Sequence, residues 1–289
     1  MNLKSIFLSL AFTITLIACD SPEKTNQEAS STAVDSAKTT QQNLSEGEQF
    51  VHSIEKAHQK AELKAKEVIQ FDLNLLFGGK SRFNGTISMT PDGSLIKMKD
   101  SNKTVIWDGK EVFVSPDTAS TKKTRFDVLT WSYFFAAAYK LSDPGAEMKV
   151  LGGRNLTVTA SETADSNGLE YNAGKLTFKN GVGDSPDDWY VVYQDKETGL
   201  MAAMAYIVTY GGREQEKAEE DPHAITYEAY AKVEGIPFAT QWNFWTWNQE
   251  GELGKLLGEA SLSNIKFIKK AADFFQPAAN SKSVEKPEA

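Results

Sequence analysis

Residues 124–140 read TRFDVLTWSYFFAAAYK. Phe126, Val128, Leu129 and Trp131 lead into a run from Tyr133 to Tyr139 in which every side chain is apolar or aromatic. The stretch predicts a helix of about 16 residues, roughly 24 Å long. Thr124 with Asp127 three residues on resembles a capping pair, an acidic group suiting a helix N-terminus, and Pro144-Gly145 ends the segment. The charges Arg125, Asp127 and Lys140 stand only at its ends. A helix that is apolar on all sides must be covered on most of them, and a curved sheet is the natural cover.

The flanking sequence supplies that sheet. Upstream, runs at 68–77, 82–89, 95–99, 104–107 and 111–115 are separated by Gly78-Gly79-Lys80, Pro91-Asp92-Gly93, Asp100-Ser101-Asn102 and Asp108-Gly109-Lys110. Short strands punctuated by Gly, Asp and Asn turns make an antiparallel meander. Downstream, strands are predicted at 156–160, 175–178, 189–194, 201–210, 223–232, 236–247 and 259–270. The paired glycines at 152–153 and 211–212 read as turns, and Gly211 to Pro222 as a long charged loop. Before the meander, Glu48 to Lys66 predicts a helix with a modest apolar stripe, on which His52 and His58, six apart, read as solvated residues. The expected architecture is mainly β with helices (α+β). It is an antiparallel, incompletely closed β-barrel of about 11–12 strands, with an N-terminal helix and the central apolar helix as lid or plug.

The chain ends set the compartment. Lys4 precedes an apolar stretch from Ile6 to Ile17, too short to span a bilayer. It runs into Leu16-Ile17-Ala18-Cys19, which resembles the lipobox of bacterial lipoproteins. The resemblance implies a signal peptide over 1–18 and acyl chains on Cys19 as a membrane anchor; two or more chains are needed for stable attachment. Residues 19–45 and 276–289 are polar and read as a tether and a tail, leaving 46–275 as the folded domain. Cys19 is the only cysteine, so no disulfide supports that domain and its own core must suffice. A formal net charge of −8 argues against nucleic acid as a partner.

Catalytic patterns are missing from the sequence. It contains no G-x-S-x-G, no nucleotide-binding glycine pattern and no H-E-x-x-H, so it is read as a non-enzyme without cofactor. Asp184, Asp187 and Asp188 in GDSPDDW lack the oxygen-ligand spacing of a known cation loop, and His223 beside Glu219, Glu220 and Asp221 has no second nitrogen or thiolate nearby. No metal site is assigned. The stretch at 236–247, IPFATQWNFWTW, alternates Phe238, Trp242 and Phe244 on one face with Trp245 and Trp247 on the other. Such a strand is either central and covered on both sides, or lines a cavity closed by the aromatic helix.

The order helix, antiparallel strands, apolar helix, long strands resembles the LolA/LolB-like superfamily of periplasmic lipoprotein carriers and receptors. The segment DDWYVVYQDKETGLMAAMAYIVTY, Asp187 to Tyr210, is similar to a strand–turn–strand of that superfamily and to lipoproteins of Bacteroidota-type bacteria. The resemblance spans roughly residues 48–270 and implies an unclosed barrel whose helix-covered concave face holds acyl chains. The candidate contacts for a lipid or lipoprotein ligand are Trp131, Phe134, Phe135, Tyr139, Trp242 and Phe244, with most of the helix aromatics expected to pack on the sheet instead, in a protein anchored in the cell envelope and facing the periplasm or the cell surface. An interaction or sensor module working through the loop at 211–222 is the alternative reading. A hydrolase using Asp187 or His223 is a third.

Overall fold

The computed structural model describes residues 44–159 and 169–286. Its helices are α1 (Glu46–Ala57), α2 (Lys60–Lys64), α3 (Thr124–Ala136, extended by a 3-10 turn over Ala137–Tyr139) and α4 (Gln215–Glu219). Strands β1 (Val68–Phe77), β2 (Lys80–Met89), β3 (Ile96–Lys99), β4 (Thr104–Trp107) and β5 (Val112–Ser115) precede α3. After it come β6 (Ala146–Val158), β7 (Leu169–Phe178), β8 (Tyr190–Gln194), β9 (Met201–Tyr206), β10 (His223–Val233), β11 (Ile236–Trp247), β12 (Glu252–Ile268) and β13 (Lys282–Val284).

All thirteen strands join one sheet, in the order β11-β10-β9-β8-β7-β6-β12-β1-β2-β3-β4-β5-β13, with β11 also pairing β12. Neighbours in sequence pair antiparallel, as hairpin turns dictate. The long β12 joins the halves: Ala260 stands opposite Leu75 of β1 on one side and Trp242 of β11 on the other. Strands β6 to β12 therefore form a ring of seven. Its last contact is only two parallel residue pairs, Glu252 with Thr157 and Leu253 with Val158. The ring is thus no regular barrel, and the expectation of an incompletely closed, mainly antiparallel barrel with a central helix holds.

One face of the sheet is buried throughout, and the seven-strand ring carries a buried cluster on its other face as well, whereas the meander turns Asn74, Asn84 and Lys99 to solvent. One face packs on α3 and holds Phe71, Leu73 and Leu75 of β1, Ile87 and Met89 of β2, Met204 of β9, Ile225 of β10 and Phe238, Trp242 and Phe244 of β11. The other carries a second cluster to which every strand of the ring contributes. Leu156, Ala173, Val191, Tyr193, Ala203, Ala205, Ala224, Trp247 and Leu253 meet there, with Ala218 of α4. The pleat explains the split: Val191 and Tyr193 point one way, Val192 the other. The strand at 236–247 is thus central and covered on both sides, and Phe244 additionally reaches the cleft described below.

Several local expectations are corrected. The N-terminal helix does not run unbroken to Lys66; it stops at Ala57, and Gln59 takes a left-handed φ of 58° before α2. His58, on the same face of α1 as Val51 and Ile54, is 2% exposed, so it is a core residue and no solvated one. Ser45 belongs to the fold, not to the tether. Its hydroxyl accepts from Glu48 N at 3.3 Å while Glu48 Oε2 accepts from Ser45 N at 2.8 Å, a capping box that satisfies two otherwise orphaned amides. Thr124 and Asp127 make no cap; Asp127 pairs with Arg82 instead, and Thr124 Oγ1 accepts from Thr121 N. Gly152 and Gly153 are not a turn but sit at a bulge within β6, where the register to β7 shifts. Within the segment read as a polar tail, Lys282–Val284 pairs with β5 as β13.

Candidate functional site

A cleft of about 820 Å³ opens alongside α3. Helix residues from Phe126 to Phe134 form one wall. Phe77, Met89, Ile96 and Trp107 come from the meander, Phe244 and Leu257 from β11 and β12, and Tyr190, Tyr206 and Val208 from around β8 and β9. Aromatic rings meet edge to face or tilted along it: Trp131 lies 6.1 Å from Phe77, Phe134 and Phe244, and Tyr133 5.4 Å from Tyr190.

The void exists because α3 is fixed at its ends rather than packed along its whole length. At its N-terminus two half-buried ion pairs hold it. Asp127 bonds Arg82 of β2, and Arg125 meets Asp184 of the β7–β8 loop through two bonds, Nε–Oδ2 at 2.6 Å and Nη2–Oδ1 at 3.1 Å. The Arg125 guanidinium also lies over the Trp107 ring at 5.2 Å. Burial pushes the Asp127 carboxyl up, against the pull of Arg82. Towards the C-terminus, Tyr227 donates to Phe134 O at 3.0 Å, Tyr139 to Pro237 O at 2.9 Å and Lys140 Nζ to Asp92 O at 3.0 Å.

The six aromatic residues expected to bind a ligand divide into two sets. Trp131, Phe134 and Phe244 line the cleft. Phe135, Tyr139 and Trp242 do not; they surround only a void of about 20 Å³ on the opposite side of the helix, with His58 and Tyr230. Phe135 is stacked between Phe71 and Phe238, Tyr139 is tied to β11 by its hydroxyl, and Trp242 packs edge-on against Tyr227.

Sequence reasoning overlooked the polar lining. Trp131 Nε1, Ser132 Oγ and Tyr133 OH are buried without a hydrogen-bond partner among the described residues, on three consecutive positions of α3. Asp188, just ahead of β8, also lines the cleft at 8% exposure. Its Oδ1 accepts from Thr209 N at 2.7 Å and Thr209 Oγ1 at 2.8 Å, yet burial raises its pKa to about 6. Asp and Thr lie 21 positions apart on the strand–turn–strand quoted above, so the pairing is visible only once β8 and β9 form their hairpin.

The acidic run Asp184, Asp187, Asp188 is occupied structurally: Asp184 holds Arg125 and Lys286, Asp188 holds Thr209. His223 and Asp188, but not Asp187, border the cleft. The charged loop at 211–222 contains α4, whose Glu219 accepts from Trp189 Nε1 at 2.7 Å and whose Ala218 is fully buried. It closes the second cluster rather than hanging free. Cys19 and the segments 1–18 and 19–43 lie outside the described residues, and among the described residues no helix is long and apolar enough to cross a membrane.

No protein-family model and no curated protein sequence matches the chain. Among solved structures its fold resembles LolA superfamily, DUF1329 and lipoprotein-sorting proteins. A DUF1329 family protein from Desulfovibrio piger is 12% identical, with a TM-score of 0.48 over 80% of this chain and 97% of the other. A LolA superfamily protein from Nitrosomonas europaea is 10% identical, TM-score 0.47, over 77% and 96%. An outer membrane lipoprotein-sorting protein domain from Vibrio parahaemolyticus is 10% identical, TM-score 0.39, over 78% and 97%.

Proposed function

We propose that this protein is a lipid-anchored component of the bacterial cell envelope that holds a lipid, or the acyl chains of a lipoprotein, in the cleft beside α3. The cleft carries the reading. Its volume of about 820 Å³ falls within the usual span for small-molecule sites, about 300–1,000 Å³, and its wall is mainly aromatic and aliphatic. Burying an alkyl chain there would contribute about 0.8 kcal/mol per methylene, enough for a chain of ordinary length to reach micromolar affinity after the cost of immobilisation. Trp131, Phe134 and Phe244 are the aromatic contacts assigned to the ligand. No bond is made or broken, and no cofactor is required.

Organic extraction of the purified domain should release lipid detectable by mass spectrometry, and a fluorescent fatty probe should bind and be displaced by it. Thr130 lines the cleft and is only partly buried. Thr130→Trp should therefore obstruct the cavity and weaken probe binding about tenfold or more, with little loss of stability. A chain that carries no lipid and ignores the probe would remove the proposal.

The anchor is assigned to Cys19. In the living bacterium, metabolic labelling with a palmitate analogue should mark the wild-type chain and leave Cys19→Ser unlabelled and released from the membrane fraction. Label that survives the substitution would show that the attachment lies elsewhere.

A further inference from the structure

We infer that the end of the cleft bounded by Asp188 and Tyr133 receives a hydrogen-bond-donating polar group of the occupant, a hydroxyl or an ammonium, and discriminates against an anionic headgroup. This rests on the cleft being a ligand site. It adds which amphiphiles the site accepts.

Asp188 is more than nine-tenths buried, and among the described residues no cationic side chain pairs with it. Of the cations that border the cleft, Arg82 is committed to Asp127 and Lys140 to Asp143 and Asp92 O, while Lys123 stands at the start of α3, ten residues or roughly 15 Å of helix before Tyr133. Arg125, behind them, is held by Asp184. Only Oδ1 of Asp188 is used, by Thr209; Oδ2 has no partner among the described residues. That second oxygen is therefore free to accept a donor from an occupant of the cleft. The Tyr133 hydroxyl is buried and unpartnered among the described residues, its ring tilted against Tyr190, which lines the cleft together with Asp188 two positions earlier. A hydroxyl satisfies both groups, donating to Asp188 and accepting from Tyr133. An ammonium donates to both.

An anion fares badly at this end. Of the carboxylates that border it, Asp143 is paired with Lys140 and Asp184 with Arg125 and Lys286, which leaves Asp188 as the carboxylate without a cationic partner among the described residues; burial, with the fields of Asp143 and Asp188 added to it, holds the Tyr133 phenol protonated. A further negative charge in a site walled by Phe178, Tyr190 and Tyr206 would be repelled with little solvent screening.

The test uses the intact folded chain and three probes with the same alkyl tail: dodecanol, dodecylammonium and dodecanoate, titrated by calorimetry in mildly alkaline buffer. Wild type should bind the first two about tenfold or more tighter than dodecanoate. Asp188→Asn keeps an oxygen for Thr209 and removes the charge, so it should bring dodecanoate to within about threefold of dodecanol and weaken dodecylammonium about tenfold. Tyr133→Phe should weaken dodecanol while leaving a purely hydrocarbon-driven component. Equal binding of all three probes by wild type, or an unchanged order in Asp188→Asn, would overturn the inference and leave the cleft as an unselective lipid site. If none of the three binds, the ligand-binding reading itself falls, and this inference with it.

Discussion

Phe135→Ala is expected to destabilise the domain by about 3–5 kcal/mol, measured as a drop in the urea midpoint at unchanged slope. The ring is clamped. Phe71 of β1 stacks on one face, centroids 3.9 Å apart and planes 16° from parallel, and Phe238 of β11 on the other at 5.3 Å and 8°. This three-ring pile runs from the meander through α3 to the seven-strand ring, so the helix joins the two halves of the sheet at this point. Removing the middle ring forfeits its transfer energy, two aromatic contacts of about 0.5–1.5 kcal/mol each, and leaves a gap between Phe71 and Phe238 that rigid strands close poorly. A domain with a typical 5–15 kcal/mol in hand would lose a large share of it. Phe126→Ala is the contrast. That ring is only partly buried and faces the cleft, so its loss should cost about 1 kcal/mol and fall on ligand affinity instead. Equal costs for the two would mean that the pile does not join the halves.

That difference between neighbouring aromatics was not readable in advance. The hairpins could be read from the sequence because Gly, Asp and Asn punctuate them, and α3 because nothing in Tyr133–Tyr139 could face water. For the same reason α3 offers no apolar stripe to orient it. Trp131 and Phe134 against the cleft, and Phe135 and Tyr139 against the sheet, are equivalent until β1 and β11 take their places. The seven-strand ring stayed hidden because much of its interior is alanine: Ala173, Ala203, Ala205 and Ala224 carry little hydrophobic signal singly and pack only because opposing strands come close. Its closing step, two parallel pairs between β6 and β12, joins residues far apart in sequence. His58 is different. Four residues after Ile54 and seven after Val51, it lies on the apolar stripe of α1, so its burial follows from helical spacing, and the left-handed φ at Gln59 ends the helix just beyond it.

His58 in turn makes stability fall in acid. Its Nε2 accepts from Met201 N at 3.0 Å, so the neutral ring carries its proton on Nδ1, which has no partner among the described residues. The rings of Tyr139 and Tyr230 surround it at 5.5 and 5.6 Å, and burial lowers its pKa from 6.5 to about 4. Because the folded state disfavours the imidazolium, this contribution is fully present above the unfolded pKa near 6.5. It is lost as pH falls from there to about 4, a total on the order of 3 kcal/mol. Protonation also places a second N–H against that of Met201, which breaks the tie between the α1–α2 junction and the start of β9. Asp188 works the other way. Its folded pKa of about 6 stands above the ordinary 3.8 of an aspartate, so the folded state favours the protonated acid and gains stability as pH drops through that window. The two offset each other in the wild-type chain and separate by substitution. Asp188→Asn should be more stable than wild type at neutral pH and lose stability more steeply below about pH 6. His58→Gln, which keeps an acceptor for Met201 but cannot titrate, should start less stable at neutral pH and hold or gain stability in acid. Denaturant midpoints across the range decide the matter: a His58→Gln curve running parallel to wild type would show that the buried imidazole is not the acid-sensitive group.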